Sequence, residues 1–175
     1  MLKTKPLASI LYWICCATLL ALPILVLAFL VFDWPTAARA SEIYEDINII
    51  SPPPSWAFWL ANLYSLLSLC AVMVMLFFMA QLFQQYRDGL ALSFQSADRL
   101  RSVGYSLWAI AIFKFFSHPI HTMLLTSGNP EGKRELAVAF TDSELGFFLA
   151  AGLITLVGKA MAEAAQNAED IKGFV

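Results

Sequence analysis

Residues 103–125 read "VGYSLWAIAIFKFFSHPIHTMLL", and whether this run crosses a bilayer decides the fold. At about 1.5 Å per residue it is long enough to cover the ~30 Å hydrocarbon core. Its interior nevertheless holds Lys114, Ser117, His118 and His121. On a helix these four fall at i, i+3, i+4 and i+7 and share one face, while Ile112, Phe115 and Phe116 lie opposite. A charged side chain at mid-bilayer costs at least about 2.5–3.5 kcal/mol on insertion scales. The stripe is therefore expected to face other helices or a wet cavity, not lipid. Pro119 adds a local effect, because its missing N–H removes the hydrogen bond to the Phe115 carbonyl and favours a kink.

Three further apolar runs flank this one in sequence: residues 7–32, 56–83 and 145–161. They account for a composition that is 59% hydrophobic and only 14% charged, against about 25% charged in soluble domains. The expected fold is all-α: a single integral membrane domain over 1–175, a bundle of four transmembrane helices. Residues 84–102 form a hairpin between spans two and three, and 162–175 a helical tail. Lys3, Lys5 and the triplet Ala38-Arg39-Ala40 resemble parts of a secretory signal. A signal's apolar region spans only about 7–15 residues, so the longer first run reads as an uncleaved helix.

Basic residues set the threading. With both termini inside, Lys3, Lys5, Arg87, Arg99, Arg101, Lys159 and Lys172 are cytoplasmic, and Arg39, Lys133 and Arg134 lie outside. The reverse threading inverts the bias. Trp34, Trp56 and Trp59 then sit at the outer interface, as an aromatic belt does. The expected location is the bacterial cytoplasmic (inner) membrane, with the lipid bilayer as the first partner.

Several function classes lose ground at once. The net charge is −2 and the basic residues are scattered, whereas a nucleic-acid-binding face needs them clustered. Cys15, Cys16 and Cys70 all lie in apolar runs without C-x-x-C spacing, where cysteine behaves as a small hydrophobe. No nucleophile–base pair, phosphate loop or zinc-protease motif is present, so no enzyme and no cofactor is expected. His118 and His121 could share a metal, but two ligands are a weak signal, and no metal site is assigned.

The polar stripe needs partners. Span two offers Asn62, Ser65 and Ser68 on a loosely shared face, and Asp33, Asp142 and Glu144 lie at the outer ends of their helices. Three readings follow: interhelical hydrogen bonding as structural glue, a pocket responsive to a proton, solute or ligand, and a metal site.

The loops differ in kind. The first contains "SPPPS" at 51–55, a stiff extended piece. The third opens on turn signals, then alternates Leu136, Val138 and Phe140 with smaller residues, which fits either an extended segment or a helix edge. In the hairpin, Gly89 suits a left-handed cap on span two, and Ser93 suits the N-cap of the helix that runs into span three.

Two stretches carry a family resemblance. One is "LFQQYRDG" at 82–89, then Phe94, then "RLRSVG" at 99–104 entering an apolar span; the other is the ending "EAAQNAEDIKGFV" at 163–175. Together they resemble a family of small bacterial four-span membrane proteins known only as a domain of unknown function. Genes of that family often lie beside a small Cro/cI-type helix-turn-helix regulator. The resemblance implies a membrane partner for a cytoplasmic DNA-binding protein, and it brings no catalytic residues with it. The expected role is regulatory or sensory, with Arg87, Arg99, Arg101, Glu163, Glu169 and Asp170 as the exposed cytoplasmic contact surface. Met161, Ala164, Ala165 and Ala168 add a mild apolar stripe to the tail. The rival class is a small transporter or channel, acting as a homo-oligomer, with the span-three stripe lining its path.

Overall fold

A computed structural model describes residues 4–32, 36, 40–44, 46–91, 93–138 and 142–173. Among them the protein is all-α, with no strand. Four long helices form, α1 (Thr4–Phe32), α3 (Ser55–Arg87), α4 (Phe94–Leu125) and α5 (Asp142–Gly173), joined by a short α2 (Ala40–Ile43) and a 3-10 turn at Thr126–Gly128.

The helices pack in chain order. α1 lies on α3, α3 on α4, and α4 on α5. α4 is therefore the central helix, covered on two sides, and α1 is peripheral. Leu20 on α1 and Leu153 on α5 are 69% and 64% exposed. Large apolar side chains left open in such numbers mark a surface that meets something other than water.

α1, α3 and α5 each carry a segment long and apolar enough to cross a membrane: Lys5–Ala28, Ser55–Arg87 and Asp142–Ala168. α4, which contains the expected third span, is not among them. Lys114, His118, Pro119 and His121 lower its hydropathy, and it packs between α3 and α5.

The hairpin forms as its residues suggest. Ser93 caps α4, accepting from the Ser96 amide at 3.2 Å, and Gly89 takes a left-handed φ of 85°. The buried Ser96 hydroxyl donates to the Leu90 carbonyl at 2.7 Å, with Gln85 Oε1 2.9 Å away. Arg87 stacks on Tyr12 of α1 at 5.0 Å and lies 3.4 Å from Asp88.

α4 and α5 approach closely near this hairpin end. A Cβ on Gly104 would collide with the Thr155 side chain and backbone, and one on Gly158 would meet the Arg101 backbone N at 2.9 Å. Beyond that seam Val103, Leu107 and Ala151 form a buried cluster, joined by Met75, Phe78, Met79, Phe147 and Ile154. α4 runs unbroken through Pro119.

At the opposite end the two loops interlock. Asn129 is 2% exposed. Its Oδ1 accepts from the Ile50 and Ser51 amides at 2.9 and 3.2 Å, and its Nδ2 donates to the Asn48 and Lys133 carbonyls at 2.9 and 3.1 Å. The Glu135 amide donates to Thr126 Oγ1 at 3.0 Å, and the Ala137 amide to Thr122 Oγ1 at 3.3 Å. Residues 133–138 are thus held on the end of α4 without helical or strand structure. Leu136 and Val138 point out, at 67% and 65% exposure; Phe140 lies outside the described residues.

Candidate functional site

The stripe on α4 turns onto a cavity of about 680 Å³, open to the surface, on the face of α4 between α3 and α5. Lys114, Ser117, His118 and His121 line it from α4, Ser65 and Ser68 from α3, and Glu144 from α5. The segment after α2 closes one wall with Tyr44, Asp46 and Ile47.

His121 is the most buried member of the stripe. It is 7% exposed, with its ring 5.4 Å from that of Tyr44 and 5.9 Å from that of Tyr64. Its Nδ1 lies 2.7 Å from the Ser117 carbonyl. A carbonyl only accepts, so Nδ1 carries the hydrogen. In the neutral ring Nε2 is then the acceptor, and Ser65 Oγ, 2.9 Å away, donates to it. This bond ties α3 to α4. Next to it, Tyr64 of α3 donates its phenol to the Phe113 carbonyl at 2.6 Å.

Lys114 sits seven residues earlier on the same face, roughly 10 Å along the axis from His121. Its Nζ lies 4.7 Å from the centre of the Phe147 ring, a cation–π contact. Lys114 is exposed on the cavity wall. No carboxylate of the described residues stands within ion-pair distance of it.

Of the expected partners, Ser65, Ser68 and Glu144 come to the stripe. Asn62 does not line the cavity; its amide donates to the Phe58 carbonyl of its own helix at 2.9 Å. Asp142 opens α5 but is exposed and stays off the cavity wall. Asp33 lies outside the described residues. Tyr44, Asp46 and Ile47 line the cavity unforeseen. These loop residues carry no signal in the sequence, because nothing periodic marks them.

Tyr44 is half-buried, and burial raises its phenol above the usual tyrosine value while the neighbouring Ser65 hydroxyl works in the opposite direction. Among the described residues no three His, Cys, Asp or Glu side chains come close enough together to hold a metal ion.

One comparison with known proteins is informative. A family model described as "Protein of unknown function (DUF2975)" matches residues 37–173. The chain belongs to this DUF2975 family. The matched stretch runs from the entry to α2 to the end of α5 and includes every residue that lines the cavity. No match is found among curated proteins or among solved structures.

The other expected surface lies at the hairpin end. Arg87, Arg99 and Arg101 are half-buried there, not fully exposed, because Arg87 stacks on α1 and Arg101 lies against Gly158. Glu163 is exposed on α5. Glu169 and Asp170 follow on the same helix, with side chains outside the described residues. Met161, Ala164, Ala165 and Ala168 line a shallow groove of about 190 Å³ on the tail.

Proposed function

We propose that this member of the DUF2975 family is a four-span integral protein of the bacterial cytoplasmic membrane, with both termini inside, and that it is sensory or regulatory without being an enzyme. Three apolar helices support the membrane assignment. α4 joins them as the fourth span because its stripe turns onto a cavity and its sides onto α3 and α5, which removes the polar groups from lipid. The Lys/Arg bias of the loops supports the threading, and it opens the cavity toward the outside. A thiol-specific, membrane-impermeant label tests this: cysteine at Asp46 reacts in intact spheroplasts and cysteine at Asp88 does not. The reverse pattern overturns the threading.

The observation that supports the sensory reading is a polar cavity, lined from α4 by Lys114, Ser117, His118 and His121. The apolar cluster of Val103, Leu107 and Ala151 lies further along the same bundle. Such a site suits a receptor for a small polar ligand. α4 then continues to the seam where Gly104 meets Thr155 and Gly158 meets Arg101, so a shift at the cavity is carried to the hairpin and the tail.

The cytoplasmic partner would be a small helix-turn-helix regulator, as the family resemblance implies, bound through Arg87, Arg99, Arg101, Glu163, Glu169 and Asp170. Capture on the detergent-solubilised full chain tests it. The expected result is recovery of a DNA-binding or signalling protein that is lost in Arg99→Glu. Recovery of none across conditions overturns the reading, and solute flux in liposomes that disappears in Lys114→Ala replaces it with the oligomeric transporter.

A further inference from the structure

We infer that the cavity takes a zwitterion: an anionic oxygen at Lys114 and, several bonds away, an ammonium at Asp46. The inference deepens the sensory reading by naming the ligand class of the same cavity.

Three observations carry it. First, the Lys114 ammonium is held in place but not satisfied. Phe147 supports it at 4.7 Å, yet a ring face uses none of its three donors as a normal hydrogen bond. No carboxylate or other acceptor of the described residues completes it. Second, Asp46 is exposed on the same cavity and has no cation within ion-pair distance among the described residues. Third, the two charges line the cavity from different elements, Asp46 from the segment after α2 and Lys114 from α4. Asp46 follows Tyr44, whose ring lies 5.4 Å from that of His121, and His121 lies two turns of α4 from Lys114, roughly 10 Å.

An ammonium and a carboxylate on one cavity, each without an ion-pair partner among the described residues, are together matched by one molecule that carries both opposite charges. A simple anion would engage Lys114 alone and make no use of Asp46. The cavity volume of about 680 Å³ falls within the range of small-molecule sites. The chemistry has two sources: a soluble amino acid with separated charges, or the headgroup of an ethanolamine phospholipid.

The test uses the full chain in nanodiscs of phosphatidylglycerol, followed by thermal unfolding and calorimetric titration. The probes are 6-aminohexanoate and its singly charged relatives hexanoate and hexylamine. A parallel arm adds phosphatidylethanolamine to the nanodisc. The expected result is saturable stabilisation by 6-aminohexanoate, with both relatives at least tenfold weaker, or stabilisation by phosphatidylethanolamine if the source is the lipid. Lys114→Met and Asp46→Asn should each weaken the effect at least tenfold, while Asn62→Ala, off the cavity wall, leaves it unchanged. Hexanoate or hexylamine binding as tightly as the zwitterion overturns the inference. So does an effect insensitive to Lys114→Met and Asp46→Asn, or no effect from either source. The sensory reading is judged separately, by partner capture.

Discussion

His121 Nε2 and Ser65 Oγ stand 2.9 Å apart and join α4 to α3 beside the cavity. Interhelical hydrogen bonds inside a membrane protein average about 0.6 kcal/mol and reach about 1.7 kcal/mol. Ser65→Ala should therefore destabilise the protein by about 0.5–1.5 kcal/mol. His121→Ala should cost more, because it also removes the ring that packs on Tyr44 and Tyr64. A double-mutant cycle read by denaturant unfolding in detergent checks the pair, and a coupling energy near zero would mean that the bond does not form.

Asn129 satisfies four backbone groups of two loops. Asn129→Ala leaves the Ile50 and Ser51 amides without their acceptor, and an unsatisfied buried group costs about 1–3 kcal/mol. Hydrogen exchange at residues 50 and 51 should accelerate in the variant, while the core of α3 keeps its protection. Equal exchange in both proteins would show that the loops are held by other contacts.

Gly104 allows α4 to touch α5 at Thr155. Gly104→Ala forces the helices apart, and overpacking of this kind costs about 1–3 kcal/mol. A fall in Tm of the purified protein is expected, with Gly146→Ala, where a Cβ meets nothing within 4 Å, as the tolerated comparison. Similar Tm values for the two variants would refute the close contact.

Tyr44 sets an alkaline limit. Its phenol holds its proton more tightly in the folded protein than in the unfolded chain, where the value is the ordinary 10.0. Above that pH the unfolded state binds fewer protons, so stability falls as pH rises. Thermal unfolding from pH 9 to 11 should show the decline, and Tyr44→Phe should flatten part of it. An unchanged slope in the variant would assign the effect to other groups.

Hydropathy and helical spacing were enough to predict four long helices, the Ser93 cap, the left-handed Gly89 and a shared polar face at Lys114, Ser117, His118 and His121. Each depends on neighbours within one segment, where composition and the 3.6-residue period act directly. Hydropathy leads to four expected spans, of which three, on α1, α3 and α5, are long and apolar enough to cross a membrane. α4 falls short because Lys114, His118, Pro119 and His121 interrupt its apolar run.

What faces the stripe was decided by folding. Asn62 and Ser65 look equivalent on one apolar run, yet Asn62 bonds its own helix and Ser65 bonds His121. Tyr44 and Asp46 reach the cavity because the first loop is clasped by Asn129, 79 residues beyond its partner Ile50. Such pairings depend on side-chain geometry across distant segments, which no periodicity within a segment encodes. The chain's own pattern thus assigns helices and a polar face to a membrane protein, and the tertiary contacts make that face the wall of a cavity.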